Sequence, residues 1–145
     1  MTRTAVRVLP AVALALLAAT ASVPARAAGD APAQSAQSAQ VKAGAVVYER
    51  CGACHALTYD RTGPHHCGLF GRRAGSVPGF AYSDAMKRSK FVWNAATLDR
   101  FIANPPGTVP GTSMGYAGVK DRTERAALIA FLKSANESVE CRGKN

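Results

Sequence analysis

Apolar residues recur at a helical period in the second half of the chain, and each run has residues typical of helix ends. The run over residues 94–105 starts at Asn94, an N-cap candidate, and stops at Pro105, which has no backbone N–H to continue a helix. A second run over residues 121–136 starts at Asp121, with an acidic residue three positions later as in a capping box. We therefore predict two amphipathic helices, the second being the terminal one. Their apolar faces are Leu98, Phe101 and Ile102 in the first, and Ala127, Leu128, Phe131 and Leu132 in the second.

Two further helices are predicted nearer the N-terminus. Residues 41–51, VKAGAVVYERC, form an opening helix that leads into a cysteine, and residues 83–89, SDAMKRS, form a short one. The segments between the helices are rich in glycine and proline, so they are predicted to be loops. Such loops make no core of their own.

The first 27 residues have the layout of a secretory signal peptide. Two early arginines precede an apolar run over residues 8–19, and the small-residue end is Ala25-Arg26-Ala27. A membrane anchor is the alternative, but the run contains Pro10 and is shorter than the roughly 20 apolar residues that span a bilayer. We therefore predict that the chain is exported and that residues 1–27 are removed, with no membrane span in the mature chain.

Residues 28–40 are rich in alanine, glutamine and serine and show no sustained apolar period. Such a composition is typical of a flexible leader, so we predict that the folded domain occupies residues 41–145. A chain of 145 residues has enough apolar material for one core.

The chain is basic, with a formal charge of +9 that falls to +6 when the three arginines of the signal peptide are removed. Nucleic acid is one possible partner for such a charge, but the basic residues are scattered and an exported chain rarely meets it. An acidic protein partner is the better match, and no nucleic-acid binding is predicted.

The stretch CGACH, residues 51–55, carries the clearest chemical signal. Two cysteines three residues apart, followed by a histidine, can be half of a zinc site, a redox dithiol or a site of covalent haem attachment. Zinc would need a second Cys/His pair of matching spacing, which the remaining histidines and cysteines do not form. A redox dithiol would need a βαβ pattern around it, whereas glycine and proline follow here. Haem attachment also explains the histidine, which can bind the iron, and the predicted export agrees with it.

From residue 44 to about 134 the chain resembles class I cytochrome c, the small electron carriers of mitochondria and bacteria. The motifs that carry the resemblance are CGACH, TGPHHCGLFGRRAG, GFAYSDAMK, Trp93, PGTSMGYAG and RAALIAFLK, in the family's order and close to its spacing. The resemblance implies an all-α fold of about four to five helices wrapped around one haem c, bound covalently through Cys51 and Cys54. The helical pattern agrees with such a fold.

The resemblance also implies the two iron ligands. His55 would bind the iron on one face and Met114, in a Pro/Gly-rich loop, on the other. The carbonyl of Pro64 would orient His55 through its second ring nitrogen. His65 and His66 are rival ligands, and they replace the Asn and Leu that the family usually has after this proline. We interpret His66 as a packed or surface histidine.

Further residues match by position those that contact the cofactor in the family. Arg72, Tyr82 and Trp93 match donors to a haem propionate, and Thr112 matches a residue that bonds the inner propionate. Gly44 and Tyr48 match the small and aromatic pair at which the first helix crosses the last in the family's fold.

Other positions depart from the mitochondrial pattern. Phe101 replaces a tyrosine whose hydroxyl reaches the methionine sulfur, and Met86 replaces a buried asparagine. A polar network is thus replaced by apolar side chains. The drier surroundings should disfavour the charged ferric state, whereas loss of the hydrogen bond to the sulfur should make Met114 a better donor and favour that state, so the two effects on the reduction potential oppose each other. Ser113, Pro106 and Gly107 stand where the mitochondrial proteins have docking lysines, so recognition of a mitochondrial-type partner is not implied.

The function that the resemblance implies is one-electron transfer in the periplasm, by a monomer that is not an enzyme and that meets redox proteins with acidic docking surfaces. An electron-transfer subunit bound permanently to a periplasmic oxidoreductase is one alternative. The other is a haem enzyme or sensor with a labile methionine ligand.

The two cysteines left over, Cys67 and Cys141, lie in regions that are close together in the family's fold, and in an oxidising compartment we predict that they form a disulfide.

Overall fold

The computed structural model describes Met1 and residues 30–143. Five α-helices occupy this part of the chain: α1 (Asp30–Tyr48), α2 (Asp84–Arg88), α3 (Ala95–Ala103), α4 (Pro105–Thr108) and α5 (Arg122–Glu137). A 3₁₀ turn, Glu49–Cys51, continues α1, and the described residues contain no named strand, only one isolated bridge between Arg73 and Val92. The prediction of an all-α fold is confirmed. The predicted signal peptide, apart from Met1, lies outside the described residues.

The backbones of helices α1 and α5 approach each other closely at Gly44. A Cβ atom at Gly44 would overlap the backbone carbonyl of Ala127, so only glycine allows this approach. One turn later the rings of Tyr48 and Phe131 lie 5.0 Å apart. The prediction that the first helix crosses the last at Gly44 and Tyr48 is confirmed.

Helix α1 begins eleven residues before the predicted start of the domain. The structure has helix from Asp30, where the sequence predicted a flexible leader over residues 28–40, and residues 32–40 are exposed. Alanine and glutamine have high helix propensity, and Pro32 lies in the first turn, where its missing N–H is not needed. An exposed helix of this kind leaves no apolar stripe in the sequence, which is why the pattern did not indicate it.

The caps predicted for α3 and α5 are present. The Asn94 side chain accepts from Thr97 N at 3.0 Å, while Thr97 Oγ1 accepts from Asn94 N at 2.9 Å, and the Asp121 carboxylate accepts from Glu124 N at 2.8 Å. Pro105 ends α3 as expected, but it also begins α4, a single turn capped by Asn104 that the sequence analysis did not predict. A proline at the first position of a helix loses no hydrogen bond.

Arg125 joins the start of α5 to α3. Its Nε donates to Asp99 of α3 at 2.8 Å, and its Nη1 donates to the carbonyls of Val119 and Lys120 at 3.0 and 2.9 Å. The side chain is buried, so these three acceptors compensate the cost of removing its charge from water. The contact fixes the end of the loop that contains Met114.

The C-terminal segment folds back onto the middle of the chain. Cys67 and Cys141 are both buried, at 0% and 2% exposure, and their Cα atoms lie 5.0 Å apart with their sulfurs at bonding distance. This separation is within the range that a disulfide requires. The segment after α5 forms turns as far as Gly143.

A cofactor-sized cavity between the helices

A cavity of about 450 Å³ lies between the helices and the long central loop. Its volume is within the range of small-molecule and cofactor sites. The residues singled out from the sequence as ligands or cofactor contacts all line it: Cys51, Cys54, His55, Pro64, Arg72, Tyr82, Trp93, Thr112 and Met114. These residues are spread over 64 positions of the chain and are brought together by the fold.

The CGACH segment forms a tight turn at the end of α1. The backbone N–H groups of Cys54 and His55 donate to the carbonyl of Cys51 at 3.0 and 2.9 Å, which holds the segment in a helical turn. Cys51 is half-buried and Cys54 is exposed, and neither belongs to a disulfide. Both side chains are therefore available for covalent attachment of a group in the cavity.

His55 is fixed by a hydrogen bond and by close packing. Its Nδ1 lies 2.7 Å from the carbonyl oxygen of Pro64, to which it donates, and this contact leaves Nε2 as the nitrogen able to bind a metal. A Cβ at Gly63 would overlap the His55 ring, so the glycine makes room for it. Burial lowers the pKa of His55, although the hydrogen bond to Pro64 opposes the shift, and the ring is therefore held in its neutral, ligating form.

His66 lies directly against His55. The two rings are stacked, with centroids 4.4 Å apart and planes 21° from parallel, and His66 Nδ1 lies 3.1 Å from the Tyr48 hydroxyl. Burial, together with the nearby His55, Arg72 and His65, lowers the pKa of His66 well below its usual value. Burial also raises the pKa of Tyr48 to about 12, which keeps its hydroxyl protonated. The ring is thus packed in the cavity wall, one of the two positions that the sequence left open for it.

His65, its neighbour, has a different environment. Its Nδ1 and its backbone N lie 2.6 and 2.8 Å from the same oxygen of Asp60, at the surface of the loop. Burial alone would raise the pKa of Asp60, but the two hydrogen bonds and the charge of His65 lower it below its usual value. His65 is not among the residues that line the cavity.

The polar end of the cavity is built around Arg72. Its two terminal nitrogens donate to the carbonyls of Cys67 and His65 at 2.9 and 2.8 Å, while its Nε is the one buried side-chain nitrogen without a partner among the described residues. Burial lowers the pKa of Arg72, so its charge would be stabilised by an anion. Tyr82 also lines this cavity, and burial raises its pKa despite the charge of Arg72.

The methionine loop is held by a local hydrogen bond. Thr112 Oγ1 accepts from the backbone N of Met114 at 3.2 Å, and the half-buried Met114 side chain packs against the core. The two apolar replacements noted in the sequence, Met86 and Phe101, are buried and line the same cavity, and Phe101 packs on Trp93 with centroids 5.1 Å apart. The walls on this side are therefore apolar.

An ion pair that the sequence analysis missed lies beside the attachment segment. Arg50 Nη1 and Nη2 donate to the two carboxylate oxygens of Glu124 at 2.7 and 2.6 Å, and Arg50 also lines the cavity. The hydrogen bonds from Arg50 lower the pKa of Glu124. The two residues are 74 positions apart, so no local sequence pattern could have paired them. The Tyr48–His66 contact was missed for the same reason.

The fold and the cavity together define a small helical domain with a cofactor-sized cavity, which is lined by two free cysteines and an oriented histidine. Comparisons with known proteins agree. The chain is 45% identical to cytochrome c2 of Rhodoplanes tepidamans over 96 residues, which are 64% of this chain and 90% of that protein. It is 45% identical to cytochrome c2 of Rhodomicrobium vannielii over 92 residues, which are 61% of this chain and 74% of that protein.

Among solved structures, cytochrome cH from Methylobacterium extorquens matches with a TM-score of 0.63 and 37% identity, over 65% of this chain and 97% of that one. No protein-family model matches the chain. At these identities and coverages the chain belongs to the class I cytochrome c family.

The residues of the cavity fit the haem c that membership of this family implies. Two unpaired cysteines and a neutral imidazole line the cavity, its walls are largely apolar, and the orphaned Nε of Arg72 offers a donor for a buried carboxylate. The space that Gly63 leaves is taken by the His55 ring, and so the imidazole reaches the cavity without displacing the backbone.

No helix within residues 30–143 is long and apolar enough to cross a membrane.

Proposed function

We propose that this protein is a periplasmic one-electron carrier. In this proposal haem c is attached through Cys51 and Cys54, and His55 and Met114 are the axial ligands of its iron. When bound, the haem supplies a single Fe(III)/Fe(II) couple. The observation that carries the proposal is that these four side chains line one cavity, where the Pro64 carbonyl orients the histidine at 2.7 Å.

The chain's residues would set the properties of this couple in three ways. His55, donating to Pro64, is a more basic ligand than a free imidazole. Met114 contributes a thioether sulfur, which raises the reduction potential relative to a second nitrogen ligand. Arg72 and Tyr82, which both line the cavity, would donate hydrogen bonds to the haem propionates, whose charge would otherwise be costly to bury.

We also propose that the partners are redox proteins with acidic docking surfaces. The charge of +6 without the signal peptide favours attraction to such surfaces, and Arg50 lies at the cavity itself, although its charge is shared with Glu124. Export would place the carrier in the periplasm. We also expect it to be a monomer. N-terminal sequencing of the periplasmic protein is expected to begin at Ala28, and a protein that still carries residues 1–27 would contradict the predicted signal peptide.

The ligands are tested by absorption spectroscopy of the protein produced with a bacterial haem-attachment system. The intact mass is expected to exceed that of the mature chain by one haem. The ferric protein should show the weak long-wavelength band of sulfur-ligated haem, which Met114→Ala should abolish and His66→Ala should retain. The reverse result would overturn the ligand assignment.

The two alternatives would give other results. A haem enzyme or sensor with a labile methionine would bind carbon monoxide readily in the ferrous state, because a sixth position would be open. A permanently bound subunit would elute from gel filtration of the native extract with a much larger partner, whereas a free carrier elutes near the mass of one chain. We expect slow or no carbon monoxide binding and elution as a monomer.

A further inference from the structure

A chain of side-chain contacts runs from α1 to His55 through His66. The Tyr48 hydroxyl lies 3.1 Å from His66 Nδ1, and the His66 ring stacks on the His55 ring at 4.4 Å. Tyr48 already packs on Phe131 at the crossing of α1 and α5, and that packing needs the ring but not the hydroxyl. The hydroxyl has its partner in His66.

The backbone of His66 is fixed independently of its ring. Its N–H is directed at the carbonyls of Ala56 and Leu57, both at 3.1 Å, and its carbonyl accepts from the Asn136 side chain of α5 at 3.2 Å. The next residue, Cys67, lies at bonding distance from Cys141. The backbone that carries the ring is therefore held by the loop that follows the attachment segment, by α5 and by the C-terminal segment, and the Tyr48 hydroxyl contacts the ring itself.

We propose that His66 is a positioning residue for His55, which would bind the iron: its stacked ring holds the plane of the ligand's imidazole and places a polar group against that imidazole. This assignment rests on the proposed function, in which His55 binds the iron.

Two physical effects follow from the geometry. The hydrogen bond to Pro64 fixes one edge of the His55 ring, and a flat ring stacked on its face limits rotation of its plane about the bond to the metal. An imidazole also carries a dipole that an aliphatic side chain lacks. A polar group against the iron's ligand favours the more highly charged ferric state, so His66 is expected to lower the reduction potential.

The test compares the reduction potentials and ferric EPR spectra of four haem-loaded variants with those of the wild type. His66→Leu removes both the stacked ring and the dipole. His66→Phe keeps a flat ring without the hydrogen bond, and Tyr48→Phe keeps the imidazole without its anchor. His65→Gln is the matched control, since His65 is the adjacent histidine and lies outside the cavity lining.

We expect His66→Leu to shift the electron-exchange equilibrium with a mediator toward the reduced protein by roughly threefold to tenfold, where tenfold corresponds to 59 mV for one electron. Tyr48→Phe should shift it in the same direction by less. His66→Phe should raise the potential but keep the wild-type g-values, which report the orientation of the ligand planes. His66→Leu should change them. His65→Gln should leave both measurements as in the wild type.

Unchanged potential and g-values in His66→Leu and Tyr48→Phe would overturn the proposal. So would loss of the low-spin spectrum in His66→Phe, because His66 would then be a ligand rather than a positioning residue. If His66→Leu fails to fold, the other two variants decide. A wild-type protein without the spectrum of histidine and methionine ligation would refute the proposed function itself, and this result is distinct from an intact spectrum with an unmoved potential.

Discussion

Removing the link between Cys67 and Cys141 is expected to destabilise the domain by several kcal/mol. The two residues are 74 positions apart in sequence, and both are buried. A covalent link between them closes a loop that spans about half of the chain. Both cysteines are replaced by alanine rather than serine, because a serine hydroxyl would be buried there without a hydrogen-bond partner.

The magnitude follows from the entropy that the loop removes from the unfolded chain. For a loop of about 75 residues, the chain-entropy relation gives about 4.5 kcal/mol at 25 °C. The measured loss should be smaller, because the segment after α5 gains freedom in the folded state once Cys141 is released. We expect about 2–4 kcal/mol, which corresponds to a fall in the melting temperature of about 8–16 °C at about 4 °C per kcal/mol.

The assay is denaturant unfolding of the haem-loaded protein at neutral pH, followed by far-UV circular dichroism. Thiol titration of the denatured wild type without reductant should find no free thiol. With the iron kept ferrous in every sample, a disulfide reductant should destabilise the wild type and leave the double alanine variant unaffected. The free energy of unfolding of that variant should depend slightly more steeply on denaturant, because its unfolded chain is less compact. Two free thiols per chain, or equal stability of the wild type and the variant, would refute the reasoning.

Four shorter predictions concern the cavity, the loop beside it and the surface. Gly63→Ala should lower haem incorporation, measured as the ratio of haem to protein absorbance, because the added methyl group would displace the His55 ring. The control Gly52→Ala should bind haem normally, and equal haem incorporation in both variants would contradict this prediction. The pKa of the Asp60 carboxyl is lowered in the folded state, so its stabilisation is complete above its ordinary value of about 3.9 and is lost as the pH falls through the lowered one. Melting temperatures of Asp60→Asn should therefore fall less steeply than those of the wild type as the pH is lowered below about 3.9, and parallel curves would count against it. Replacing Cys51 and Cys54 by alanine should abolish covalent haem and leave no cooperative thermal transition, and a sharp transition in this variant would show that the helices fold without the cofactor. Electron exchange with the acidic partner should slow as salt rises, because attraction is screened over about 8 Å at physiological ionic strength, and a rate independent of salt would exclude electrostatic docking.

The local part of the fold could be predicted because it depends on neighbouring residues. The caps at Asn94 and Asp121 and the stop at Pro105 involve residues within four positions of each other, and the structure has all three. The start of α1 could not be predicted, because an exposed helix of alanine and glutamine buries no face and leaves only propensity as a signal. Helix α4 is a single turn, too short to show any period.

The site could be predicted as a set of residues but not as a set of contacts. Motif order in the family predicted the proposed ligands and cofactor contacts, and the fold brings these residues together in one cavity. Contacts particular to this chain, such as Tyr48 with His66 and Arg50 with Glu124, join residues 18 and 74 positions apart. Their pairing depends on how α1, α5 and the central loop pack, which no pattern along the chain encodes.

The apolar faces of α3 and α5 belong to the core and to the site at once. Leu98 and Phe101 of α3 and Leu128 and Leu132 of α5 are buried, and all four line the cavity. A covalently attached group is present on the folded and the unfolded chain alike, so it stabilises the fold only through the contacts that it makes with these side chains in the folded state. The same side chains therefore determine both the free energy of unfolding and the polarity around the iron. A substitution on these faces should therefore change stability and reduction potential together.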